Sequence, residues 1–324
     1  MIDFRYHLVS IVAIFLALAV GIVMGTTLLQ TPAIETAKRT SDLMAKTNND
    51  LRSELDVRRG REAADDAFVT AFTPQLVAGA LNGERVLLVE APGASSTYRE
   101  AQQQVLLQAG AAITGRVTLT DKFLDAKNQG VIDGLVTQLK PRDMALAPSA
   151  GAYDKAAALL AATLVTTDQA QAGTANPATA AVLGGFEAGG LLSIDDEPAK
   201  RSTLVVMFAP ERAFEGDKAE PQAAALLSLA RGLDAAGKGT VIAGSVTAAS
   251  AGGLITAARD DSDLLKRVST VDNVDMPAGR TAIVYALREQ LDGRAGQYGI
   301  GANVTAPMPA VPNATPTATP SSGG

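Results

Sequence analysis

Few residues in this chain have the types or the spacing that chemistry requires. There is no cysteine and a single histidine, His7. Counting alone therefore excludes thiol nucleophiles, disulfides and zinc-thiolate sites, and with them His-based metal cages and Ser-His-Asp triads. One string imitates a phosphate loop. Gly232-Leu-Asp-Ala-Ala-Gly-Lys238 matches its first seven positions, but Gly239 stands where a magnesium-binding Ser or Thr belongs. Its context is also reversed: it closes a predicted helix and leads into a strand, whereas helix N-terminal amides must face the phosphates. Glu90-Ala-Pro-Gly-Ala-Ser-Ser96 follows a predicted strand, the place where ligands sit in open α/β sheets. It lacks the repeated glycines needed for close approach to a pyrophosphate and reads as an ordinary strand-to-helix turn. Asp195-Asp196-Glu197 and Asp260-Asp261-Ser262-Asp263 read as solvated loop carboxylates rather than cation sites. No acid/base pair stands out, so the chain reads as non-enzymatic, with no cofactor or metal site.

The elements that would carry any site begin with an anchor. Leu8 to Leu29 is a run of 22 residues without a charge, long enough at about 1.5 Å per residue to span a hydrocarbon core of roughly 30 Å. Gly21 and Gly25 make a G-x-x-x-G spacing suited to membrane helix packing. A cleaved signal peptide is the rival reading, with Arg5 before the run and Ala19-Val20-Gly21 as a small-residue site. The run continues through Val23, Leu28 and Leu29, which favours an uncleaved anchor. Charge bias across the segment is nearly balanced. The expected localisation is the cell membrane or envelope, single-pass, with the bulk of the chain extracytoplasmic. The formal net charge of -6, with no basic stripe, excludes nucleic acid as a partner.

After Pro32, where a helix can break, the period changes. Ile34, Ala37, Ser41, Met44, Asn48, Leu51, Leu55 and Arg58 alternate spacings of three and four, an a/d seam with charges between. Asn48 falls at an a position, where one buried Asn specifies register and a two-stranded state. The expected partner is a second copy in a parallel homodimer; the alternative is a lone amphipathic helix on its own domain.

The globular part is expected over 82–301. Arg85–Ala91 is a near-continuous apolar run, as a buried parallel strand should be. Further strands are expected at Ala112–Leu119, Asp143–Pro148, Thr203–Phe208, Gly239–Ala243 and Val268–Val271. Helices are expected at Thr97–Ala109, Thr120–Leu139, Tyr153–Thr166, Pro221–Ala236 and Ala278–Gln290. Strands alternating with such helices imply β-α-β units and a doubly wound, Rossmann-like, mostly parallel sheet of the α/β class. Ala172–Pro198 reads as a linker between two halves. The domain expectation is thus an anchor (1–30), a coiled coil (33–75), the α/β domain, and a Pro/Thr/Ala-rich disordered tail (304–324).

Met1-Ile-Asp-Phe-Arg-Tyr-His-Leu-Val-Ser10, running into Ile11–Gly25, resembles the start of the actinobacterial copper transporter (MctB) family, which includes SteB-type cell-envelope proteins. Val271-Asp-Asn-Val-Asp-Met-Pro-Ala-Gly-Arg280 and Gly296-Gln-Tyr-Gly299 are similar too, and the likeness covers about residues 1–300. It implies an envelope protein for copper efflux and homeostasis, with copper only as the transported ion. The SteB-type members imply the alternative, a dimeric scaffold for cell-envelope or cell-division partners. Copper(I) prefers thiolate or thioether ligands and copper(II) prefers imidazole, yet Met24, Met44, Met144, Met207, Met276 and Met308 are scattered. His7 and Met24 stand about 26 Å apart along one helix. No alternating segments of a membrane barrel are visible, and one helix cannot enclose a pore, so a channel requires several anchors.

Overall fold

The computed structural model describes residues 4–175 and 177–311, with the side chains of 27–37 outside that description. Two compact units meet at Asp65/Asp66. The described part of the first is helical from Phe4 onward. Helix α1 (Phe4–Val77) carries the apolar stretch and the heptad stretch, and it continues through Pro32, where the sequence expects a break. A proline inside a helix costs about 3 kcal/mol, which does not end a helix whose flanks are each long enough to propagate. Phe4–Thr26, with a mean hydropathy of 2.8, is the one stretch among the described residues long and apolar enough to cross a membrane. Thr26 Oγ1 donates to the Ile22 carbonyl at 3.0 Å, so its hydroxyl is satisfied within the helix.

The second unit begins inside the expected coiled coil rather than at residue 82. Thr73 and Val77 are buried, and Tyr285 Oη donates to the Leu76 carbonyl at 2.5 Å. Val77 and Leu81 join one of the unit's two cores. The last turns of α1 are therefore a structural part of the α/β unit.

The unit continues as β1 (Arg85–Glu90), α2 (Ser96–Gln108), β2 (Ala112–Leu119), α3 (Asp121–Leu124), α4 (Gln129–Leu139), α5 (Ala152–Leu164), α6 (Pro177–Ala188), β3 (Leu192–Asp196), β4 (Leu204–Phe208), α7 (Ala219–Ala236), β5 (Gly239–Ala243), α8 (Leu254–Asp260), β6 (Ser269–Val271), α9 (Pro277–Leu291) and β7 (Gln297–Tyr298). The seven strands form one sheet in the order β3-β2-β1-β4-β5-β6-β7. Among the described strands only β3 runs antiparallel to its neighbour. Because β1 is central, both its faces are covered: Leu87 and Val89 enter one core, with α4 to α8. Val86 and Leu88 enter the other, with α2, α9 and the end of α1. Burial on both faces is what the continuous apolar run requires.

Three stretches differ from the sequence expectation. Asp143–Pro148 is a turn region rather than a strand, closed by Met144 N donating to the Pro141 carbonyl; two bracketing prolines withhold the amide donors a ladder needs. Thr120–Leu139 is not one helix, because Asp125 leaves helical geometry and its carboxylate accepts from Lys127 N at 3.1 Å, starting a new turn. Ala172–Pro198 holds α6 and the edge strand β3 of the same sheet and does not divide it. The expected tail also starts later than 304, since Thr305 N donates to the Gln297 carbonyl at 2.6 Å and Pro309 is buried. The rest of that expectation, from 312, lies outside the described residues.

Tyr285→Phe should lower the unfolding stability of the α/β unit by about 1 kcal/mol, the usual worth of one such hydrogen bond. Urea unfolding followed by circular dichroism would check it.

Candidate functional site

In open α/β sheets ligands bind at the carboxyl edge where the strand order reverses, which here lies between β1 and β4. A groove of about 340 Å³ opens there, lined by Pro92, Asp121, Leu124, Arg212, Phe214 and Gln222 among others. The loop after β1 does not present itself to a ligand. Glu211 N donates to the Gly93 carbonyl at 3.0 Å, tying the β1 loop to the β4 loop across the switch point. Ser95, which precedes α2, makes no side-chain cap.

The charge at the end of β1 is consumed inside the fold. Glu90 is buried; its Oε1 accepts from Arg99 Nε at 2.8 Å and its Oε2 from Thr118 Oγ1 at 2.8 Å. Arg116 stands 3.6 Å from the same carboxylate and donates through Nε to Asp195 at 3.0 Å. Asp195, read as a solvated loop carboxylate, is thus the β3 partner of Arg116, and it holds the guanidinium above its ordinary pKa. Nearby, burial first and then the carboxylates of Asp275 and Glu211 push the Tyr98 phenol above its ordinary value.

In the other acidic run Asp260 and Asp263 are exposed and Asp261 is structural. Asp261 Oδ1 accepts from the amides of Leu264 (3.0 Å) and Asp263 (3.1 Å), while Arg231 donates to Oδ2 at 2.7 Å. Those amides, ahead of the guanidinium, hold its carboxyl below the usual range. The phosphate-loop imitation serves packing. A Cβ at Gly232 would lie 3.0 Å from Ala157 of α5, and one at Gly239 would lie 2.3 Å from Gln290 of α9.

A buried polar cluster centres on Asp272, at the end of β6, a residue that the sequence alone does not mark as a site. Asp272 is completely buried, and its partner Arg259 of α8 is nearly so. Arg259 Nη1 donates to Asp272 Oδ2 at 2.8 Å, and its remaining donors reach Thr270 Oγ1 and the carbonyls of Tyr298 and Ala302. The carboxylate also accepts from Ile300 N at 2.8 Å and Gly301 N at 3.1 Å. A Cβ at Gly299 would fall 1.9 Å from Asp272 Oδ1, and the residue sits at φ +125, so a side chain is excluded twice over. With three bonds to the carboxylate and four from the guanidinium, this is a structural ion pair rather than a reactive one.

The sequence-expected seam and helix-packing residues all map to α1. Ser41, Met44, Asn48, Leu51 and Leu55 are exposed on it, as is Gly21, with Gly25 half-buried; the side chains of Ile34 and Ala37 lie outside the description. Neither glycine has anything within 4 Å of a built Cβ. Among the described residues no group of three or more His, Asp or Glu could hold a metal ion. Met207 is a fully buried core residue, Met144 and Met276 are half-buried in different loops, and Met24, Met44 and Met308 are exposed.

Asp272→Asn should cost the α/β unit about 3–5 kcal/mol, because the Arg259 charge is left buried without its counter-charge. Pairing it with Arg259→Met should cost less than the two single losses together. Urea midpoints of the three variants would measure both.

The model of the family described as "Copper transport outer membrane protein, MctB" matches residues 1–309. Proteins named copper transporter MctB from Mycobacterium tuberculosis and Mycobacterium bovis are each 28% identical over 310 residues, covering 93% of this chain and 97% of theirs. The one from Mycobacterium leprae is 27% identical over 317 residues, covering 94% and 98%. The match runs from the apolar helix through the whole sheet to the residues that close on Asp272, and the chain belongs to the MctB family.

Proposed function

We propose that this protein is a single-pass, membrane-anchored envelope protein acting in copper homeostasis, with copper as transported ion rather than resident cofactor. The observation that carries this reading is the near-complete match to a family described by copper transport, anchor included. The bulk of the chain lies on the extracytoplasmic side, consistent with its Pro/Thr-rich end. Its domains are the anchor, the heptad stretch and a doubly wound, Rossmann-like α/β unit that performs no catalysis. One helix cannot line a pore, so transport by this chain requires several anchors, with Gly21 and Gly25 on the packing face. Two copies associate in parallel through Ile34, Ala37, Ser41, Met44, Asn48, Leu51 and Leu55, and Asn48 sets register.

A second reading is a dimeric scaffold for cell-envelope or cell-division proteins. The exposed seam residues favour it: Leu51 and Leu55 are 55% and 50% exposed on a helix that ordinarily hides such side chains.

A strain lacking the protein should accumulate intracellular copper and grow poorly in copper, with the full chain restoring both. Unchanged copper content alongside altered division or cell-wall growth would overturn the first reading in favour of the second. Asn48→Leu should change the oligomeric mass of the detergent-solubilised chain in light scattering, and an unchanged mass would count against the seam.

A further inference from the structure

The α/β unit carries an apolar row that the described residues leave largely exposed. Phe68, Phe72 and Leu76, spaced by four on the last turns of α1, are 64%, 42% and 47% exposed. The two phenyl rings lie 4.7 Å apart. The adjacent face of the same turns, Thr73 and Val77, is the one taken up by the unit's own core, so the aromatic row is directed away from it.

The sequence register states what belongs on that row. Continued in steps of three and four from Leu51 and Leu55, the heptads place Arg58, Glu62 and Asp65 in a polar interval, then Val69, Phe72 and Leu76 at a, d and a. Phe72 and Leu76 stand three whole heptads beyond Leu51 and Leu55, in the same phase, and Phe68 occupies the flanking g position. The charges agree with a second copy in parallel. In such a pair a g residue faces the e residue five positions on in the other helix. Glu54 then meets Arg59, and Arg61 meets Asp66, each an opposite-charge pair supplied by one sequence to itself. Within a single chain Glu54 pairs with the exposed Arg58 at 2.7 Å, a contact weak enough to exchange.

We infer that the seam proposed above does not end at Leu55: after the polar interval it re-forms through Phe68, Phe72 and Leu76 against a second copy of this chain. The inference rests on the parallel dimer of the preceding section. It adds that the α/β units themselves carry part of the dimer contact.

The absence of cysteine makes the test direct, since any disulfide must come from an introduced residue. Leu51→Cys, Phe72→Cys, Leu76→Cys and the outward-facing c-position control Ala71→Cys are made singly in the full chain, oxidised in its membrane, and scored for covalent dimer. Identical core positions of a parallel pair face each other, within the roughly 4.4–6.8 Å between Cα atoms that a disulfide spans. The expected result is a dimer band for the three core variants, at least fivefold stronger than for Ala71→Cys. Linkage at Leu51→Cys alone overturns the extension and leaves the upstream dimer standing. No linkage at any core position overturns both. Equal linkage at Ala71→Cys and Phe72→Cys overturns the extension, because the row would then be a site of random collision. Leu76→Cys stands in for Phe72→Cys should the latter fail to fold.

Discussion

A single carboxylate holds the far end of the sheet together. Asp272 has no water-facing surface, and burying an unpaired charge of that kind would cost several kcal/mol. The fold supplies an Arg259 guanidinium, two backbone amides and close glycine approach, drawn from α8, β6 and the segment after β7. A strand as short as Gln297–Tyr298 makes few ladder bonds of its own. Its attachment depends on Arg259 gripping the Tyr298 carbonyl and on Thr270 donating to the Gln297 side chain. The requirement to satisfy one buried charge thus decides how the chain closes.

The other end of the unit is governed by apolar burial. α1 leaves the heptad stretch and becomes a core element without changing its secondary structure, by turning Thr73 and Val77 inward. Leu81 N donates to the Ala109 carbonyl at 2.9 Å, so the chain enters β1 alongside the end of α2. A boundary of this kind leaves no Gly- or Pro-rich linker to mark it.

The switch point between β1 and β4 is where this topology usually offers a ligand site. Here the Glu90 charge is spent on Arg99 and Thr118, and main-chain pairing of Glu211 with Gly93 bridges the loops. The polar groups at this edge are thus largely taken up within the fold itself.

Much of this protein was legible in the sequence because its strongest signals are local. The uncharged 22-residue run, the 3-4 heptad spacing and the apolar β1 and β4 each state their preference within one window of residues. The counted absence of cysteine and the lone histidine also removed whole classes of chemistry before any geometry was known. The residues Val271–Arg280 and Gly296–Gly299 carried the family resemblance, but why they matter lay beyond their own sequence. Asp272 reads as a loop acid until Arg259, separate in sequence, and Gly299 and Gly301 close around it. Likewise Ala172–Pro198 looked like a linker because β3 is short and polar, and only its antiparallel pairing with β2 makes it a strand. Local hydrophobic period determines which segments can be helices or strands; buried charge and strand pairing are long-range, and only the tertiary structure could decide them.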